Sequence, residues 1–267
     1  MPILPKNWSP QHLVAVAKSY DTSVGTTEIE TDVGKAYIKP MGNRSGPHVL
    51  ACDWIATHLA QLVDLPTFEI NLLILGDSDL FPLPRNHRAT AGPAFVARAM
   101  KGRPWGNDLE DLESLENPDD ISRLVVFDTW LLNCDRHPPD LATRKPNPDN
   151  VFLADTNDVD RMKLIVSDHT HCFTCGRDLN DHVAAIDRVR DERLYGVFPA
   201  FVQFLNPTVI ENFCDTMRNV ARADVIEVLR TVPAEWEVTD NTRVALEDLI
   251  LRRATFVADN IHGWLFP

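Results

Sequence analysis

The residues best suited to chemistry lie in two short stretches. Asn133-Cys134-Asp135-Arg136-His137 is followed by two prolines and Asp140, and Asp168-His169 follows the apolar run Leu164-Ile165-Val166. Carboxylates just past the ends of regular elements sit where chemistry tends to be placed. Three aspartates make a kit for phosphoryl transfer: one orients or deprotonates an acceptor hydroxyl, and the others hold Mg²⁺ against nucleotide phosphates. Mg²⁺ takes hard oxygen ligands, which makes aspartate the expected donor rather than cysteine or histidine. The plainer alternative is that an aspartate beside a proline-rich turn is a cap or turn former and that Arg136 pairs with a nearby acid.

Two elements must position these groups. A helix begins after Pro118, with Asp119 or Asp120 able to cap it, and Ile121, Leu124, Val125, Leu131 and Leu132 supply its apolar side. It ends at Asn133, because Pro138 and Pro139 cannot continue it. Val151 to Ala154 pairs with Leu164 to Val166 across a turn at 155–161, and that hairpin presents Asp168 beside the Asp135 loop. Asn133 ties that loop to the helix end, and Asp128 does similar work from within the helix.

Upstream, residues 12–17, 25–31 and 33–39 read as strands. Gly25, Thr26 and Thr27 offer backbone N–H groups to a phosphate, or are an ordinary strand entry. Lys39 closes its strand before Pro40, and a point charge on a flexible stem suits phosphate contact; Lys35 is the alternative. Residues 40–47 form a loop, and Arg44 and Ser45 within it decorate a turn. Residues 48–63 carry apolar side chains at helical spacing, with Asp53 among them. Strands follow at 68–75 and 93–100, and the Gly- and Pro-containing stretch 101–106 marks a boundary. The division expected is an N-terminal nucleotide-binding lobe, 1–100, and a C-terminal catalytic helical lobe, 101–267. Helices at 178–188, 207–216, 221–232 and 241–264 fill the latter, with 199–204 joined to the second of them.

Asn133-x-Asp135-Arg136-His137-x-x-Asp140, followed by a strand and Asp168, resembles the HipA-like kinases, bacterial Ser/Thr kinases with a two-lobed fold related to protein and phosphoinositide kinases. The family pattern has Asn where this chain has Asp140. Asp53-x-x-Ala56-x-x-Leu59 with Leu65-Pro66 is similar to the family's helix motif, with Asp in the Glu position. The resemblance covers about residues 25–173. It implies an α+β, two-lobed protein-kinase-like fold with an N-terminal antiparallel sheet, one main helix and a mainly helical C-terminal lobe. It also implies ATP and Mg²⁺ as cofactors, Asp135 as the catalytic aspartate, Asp140 and Asp168 as metal ligands, and Lys39 on phosphate with Asp53 as its partner. Arg136 and His137 then brace the loop, and the backbone around Ala97 to Lys101, Met100 included, faces the adenine. The acceptor implied is a protein Ser/Thr, and the setting includes an antitoxin or regulatory partner. A degenerate kinase serving as a nucleotide-sensing or protein-binding module is the competing reading.

A net charge of −13 over 267 residues argues against non-specific nucleic-acid binding and suits a basic protein acceptor. The first ten residues lack a signal-peptide core, and no apolar run approaches the ~20 residues of a bilayer span. Five cysteines, an odd number, make no disulfide framework, which points to a reducing cytoplasm. The runs 108–116 and 155–160 read as solvated acidic surface. Cys172-x-x-Cys175 has no second pair, and a zinc hydrolase using His137, His169 and His171 is the third reading.

Overall fold

The computed structural model describes residues 8–267. Seven N-terminal residues, on which most of the signal-peptide reading rests, lie outside the described residues.

Strands β1 (Leu13–Ser19), β2 (Thr27–Thr31) and β3 (Gly34–Lys39) form an antiparallel meander. Alternation is the reason: Ile29, Ala36 and Ile38 are buried on one face while Glu28, Glu30 and Lys35 point elsewhere. Helix α1 (His48–Leu62) comes next, then β4 (Ile70–Leu75), the short hairpin of β5 (Pro82–Leu83) with β6 (His87–Arg88), and β7 (Gly92–Arg98). The five long strands make one sheet in the order β1-β2-β3-β7-β4, with antiparallel pairing throughout. One sheet face closes over Trp8, Phe81 and Leu83. Toward the other lies α1, buried on every side from Val49 to Ala60, as a helix apolar all round must be.

That burial welds the sheet to the helical part. The Trp54 indole of α1 donates to Thr231 Oγ1 (2.8 Å) and meets Trp236 edge-on, while Trp236 donates to the carbonyl of Pro93 at the start of β7 (3.0 Å). A second sheet, ordered β10-β9-β8, joins β8 (Gly102–Pro104), β9 (Val151–Asp155) and β10 (Met162–Val166). Around it lie α2 (Leu109–Glu113), α3 (Asp119–Leu131), α4 (Ile186–Val189), α5 (Pro207–Arg218), α6 (Arg222–Arg230) and α7 (Asp240–Leu265). Asn206 caps α5 ahead of Pro207, and Thr239 caps α7.

The structure departs from the sequence reading in three places. Within residues 178–188 only the end is helical, where α4 begins at Ile186; ahead of it a turn forms in which Asn180 Oδ1 takes the His182 N–H (2.9 Å), a side-chain bond that competes with a helix. The acidic run from Asp108 contains α2, capped by Asp108, with Leu112 and Leu115 buried. Asp119 and Asp120 do not cap α3; Asp120 pairs with Arg123 instead (2.5 Å).

Arg253, on α7, is fully buried and has no carboxylate of its own. Its guanidinium donates to the carbonyls of Thr129 (2.8 and 3.1 Å), Arg188, Val189 and Asp191. It thereby ties α3, α4 and α7 together, and burial draws its pKa down to about 10. Arg253→Met removes the guanidinium from the buried carbonyls of Thr129 and Val189 and from the part-buried ones of Arg188 and Asp191, and hydrogen bonds to a charged group are worth ~1.5–3 kcal/mol each. The expected loss of unfolding free energy in urea titration is at least ~3 kcal/mol.

Candidate active site

Helix α3 ends abruptly. Its C-cap residue, Leu132, adopts a left-handed conformation (φ 56°), uncommon for a bulky side chain. The strain is overcome by a tight knot of polar bonds just beyond it. Asn133 gives its backbone N–H to the Asp128 carbonyl (2.9 Å) and its side-chain amide to Asp128 Oδ1 (2.9 Å), and its own Oδ1 accepts the Asp135 N–H (3.3 Å). Arg136, with no exposed surface, donates from Nε to Asp128 Oδ2 (2.7 Å). Its Nη1 and Nη2 reach the Ser167 carbonyl (3.1 Å each), and Nη1 also reaches the Asn150 carbonyl. One guanidinium therefore joins α3, the residue before β9 and the residue before Asp168. Gly196 closes the far side with φ 74°, and a Cβ there would lie 2.4 Å from Asp128 Oδ2.

Asp168 follows β10 in a left-handed conformation (φ 55°), which turns its carboxylate toward Lys39. Lys39 Nζ lies 2.6 Å from Asp53 Oδ2 and 3.1 Å from Asp168 Oδ1. Asp53 is fixed in turn by the His169 backbone N–H (2.9 Å) and Asp168 by the Thr170 hydroxyl (3.0 Å). Burial opposes charge on all three groups. For Lys39 the Asp168 and Asp53 carboxylates outweigh it and hold the ammonium well above its ordinary range. For Asp53 and Asp168 the Lys39 ammonium outweighs it, and both carboxyls titrate below theirs.

Asp135 stands on the opposite side of the Arg136 knot. Its Oδ1 accepts from Arg144 (2.6 Å) and its Oδ2 from the Asn150 amide (2.8 Å), with His171 Nδ1 at 3.4 Å from Oδ2. Asp140 does not join it. Asp140, which the resemblance put at a metal-ligand position, is exposed, and its Oδ1 caps a turn by accepting the Ala142 N–H (2.9 Å). An excursion at 140–149 separates the motif from the strand, so the residue delivered to Asp135 is the one immediately before β9, Asn150. The signal was present in Asn150-Val-Phe-Leu, an amide at a strand entry.

His137 packs edge-on against Phe198, and burial lowers its pKa. His169 is buried against Phe127. Among the described residues no group of three His, Cys, Asp or Glu side chains could hold a metal ion, which removes the clustering that the zinc reading needs. Gly25 and Thr26 close a turn on themselves: their N–H groups go to the Thr22 carbonyl (3.2 Å) and hydroxyl (2.9 Å). Thr27 Oγ1 returns to the Gly25 carbonyl (3.0 Å). Ala97 is near the end of β7, paired with Tyr37 and Ile70, and Met100 lies just past that strand, exposed. Among the described residues no helix is long and apolar enough to cross a membrane.

The comparisons with known proteins give the family and the fold. The chain belongs to the HipA-like kinase family, whose description matches residues 30–259. Among solved structures, the proinflammatory kinase CtkA of Helicobacter pylori superposes with a TM-score of 0.63 at 10% identity, covering 96% of each chain. HipA of Shewanella oneidensis, solved with HipB and operator DNA, gives 0.39 at 11% identity, covering 98% of this chain and 70% of that one. No curated protein matches the sequence. The fold is thus a two-lobed, protein-kinase-like α+β fold.

Two predictions follow from the buried charges. Asp128→Ala leaves the Arg136 guanidinium buried without its acid, and breaking such a pair costs ~3–5 kcal/mol; guanidinium titration of the variant reads the loss. The Lys39–Asp53 pair sets a pH window. Asp53, with a lowered folded pKa, contributes stability above its unfolded value of ~3.9, and this is lost as pH falls through the folded value. Lys39, with a raised one, contributes below ~10.4, and this is lost as pH rises through its folded value. The stability gap between the wild type and Asp53→Asn should be flat from about pH 5 to 9 and narrow below about pH 4, as followed by urea unfolding across pH.

Proposed function

We propose that the chain transfers the γ-phosphoryl group of ATP to a hydroxyl, with a protein Ser/Thr as acceptor. The observation that carries this reading is one buried lysine shared between two acids, Asp53 of α1 and Asp168 past β10, with Asp135 held on the same Arg136 knot. Lys39 supplies positive charge for phosphate oxygens, and Asp53 keeps it aimed. Asp135 orients the acceptor hydroxyl and receives its proton.

The donor chemistry suits Mg²⁺, which binds through one or two protein oxygens together with substrate phosphates. Asp168, with a partly exposed carboxylate, and Asn150, whose amide oxygen accepts from the Asn147 amide (2.9 Å) and would exchange that bond for the ion, are the residues that would hold it. When bound, the ion supplies charge neutralisation for the phosphates. Asn150 takes over the role that the resemblance implied for Asp140. The lobe division near residue 100 is supported by strand membership: β7 ends in the five-stranded sheet, and β8 begins the three-stranded one. Net charge of −13 favours a basic acceptor segment over an acidic one, and an antitoxin-like or other regulatory protein is a compatible partner.

One observation favours the second reading, a nucleotide-binding module without transfer. Arg144 and Asn150 together occupy both oxygens of Asp135, which leaves an acceptor hydroxyl to displace one of them.

Incubation of purified protein with Mg²⁺-ATP and a basic Ser/Thr-containing protein, read by site-mapping mass spectrometry, separates the two. Loss of a general base costs ~10²–10⁴-fold, and Asp135→Asn is expected to fall in that range. Asn150→Ala and Asp168→Asn should each lose at least ~10-fold, while Asp140→Asn stays within ~3-fold of the wild type, since one lost interaction of 1.4 kcal/mol is tenfold in rate. Mg²⁺-ATP binding with no transfer by the wild type would favour the module. A large loss in Asp140→Asn with none in Asn150→Ala would return the metal role to Asp140.

A further inference from the structure

The kinase reading leaves a pair of thiols unused. Cys134 lies immediately before Asp135, and Cys175 lies on the turn after Asp168, forty-one positions on in sequence. The two thiols share a hydrogen bond. Their segments are already docked: the Phe173 N–H donates to the Leu131 carbonyl (2.7 Å), and Cys175 Sγ faces the Leu132 carbonyl at 3.9 Å. The two segments are therefore joined by a backbone bond, Phe173 to Leu131, that does not depend on the sulfurs.

The two cysteines differ in the way a redox pair requires. Cys175 is an exposed residue with a left-handed backbone (φ 54°), while Cys134 is buried. The hydrogen bond from Cys134, with help from Arg144 and Arg193, brings the Cys175 thiol down to about 7, and the same bond drives Cys134 upward. The thiolate is the form that attacks an oxidant, and exposure admits it. Cys172, the nearer partner by sequence in the Cys-x-x-Cys spacing, is fully buried, and burial raises its pKa far above the ordinary thiol range.

We propose that Cys134 and Cys175 form a reversible, peroxide-driven disulfide that ties the Asp135 loop to the segment following Asp168. In the first step the Cys175 thiolate attacks one oxygen of hydrogen peroxide; its S–O bond forms as the O–O bond breaks, giving a sulfenic acid and hydroxide. In the second, Cys134 sulfur displaces hydroxide from that sulfenic sulfur. Together, two thiols and one peroxide yield one disulfide and two waters. A consequence for Asp135 rests on the phosphoryl-transfer reading, whereas the linkage itself is read by mass alone.

The test uses the full chain, reduced, desalted and treated with a slight excess of hydrogen peroxide, then alkylated under denaturing conditions and digested without reductant. The expected product is a linked pair of peptides carrying Cys134 and Cys175, absent in Cys175→Ser, retained in Cys172→Ser and dissolved by dithiothreitol. Alkylated Cys134 and Cys175 in the treated wild type, or a Cys172–Cys175 linkage in their place, would overturn the proposal. So would Cys175 oxidised to sulfinic acid with Cys134 still free.

Discussion

The buried ion pair between Arg136 and Asp128 is the constraint on which the site depends. Neither side chain has any exposed surface, and such a pair contributes little net stability because its desolvation cost rivals its attraction. Its value here is positional. The guanidinium has more donors than Asp128 can accept, and the surplus goes to the Asn150 and Ser167 carbonyls. Those carbonyls fix where β9 begins and where β10 ends, and hence where Asn150 and Asp168 emerge. A lysine could not do this, since it lacks the planar fork.

Across the cleft, Lys39 plays a complementary part. It connects the sheet to α1 through Asp53 and to the helical lobe through Asp168. The Asp53 carboxylate is shared with the His169 N–H, so the lysine, the helix acid and the segment after β10 move as one unit. Aspartate is a methylene shorter than the glutamate of the family motif, yet the contact to Lys39 is close at 2.6 Å, because α1 is buried on every side and lies tight under the sheet.

Much of this was legible before any coordinates. The strands at 25–31 and 33–39, the apolar spacing of α1 and α3, the 151–166 hairpin and the helices at 207–216 and 241–264 all follow from local pattern. The family resemblance pointed to Lys39, Asp53 and Asp168, which the fold joins in one ion-pair cluster, and to Asp135, which it sets against Arg144 and Asn150. The resemblance put Asp140 at a metal-ligand position, whereas the structure leaves it exposed at the start of the 140–149 loop and brings Asn150 to Asp135. Residues 178–188 carry helix-compatible composition, but the Asn180 side chain takes the His182 amide in a turn, and α4 begins only at Ile186. The thiol contact between Cys134 and Cys175 was invisible, since sequence spacing directs attention to Cys172 with Cys175.

The central claim is that Asn150 and Asp168, beside Asp135, make a metal–nucleotide site in which Asp140 has no part. The most direct test is anomalous scattering from crystals grown with Mn²⁺ and a non-hydrolysable ATP analogue. The account predicts an anomalous peak within coordination distance of Asp168 and Asn150, with the analogue's phosphates reaching Lys39. A peak on Asp140, or a nucleotide bound away from Lys39, would contradict it.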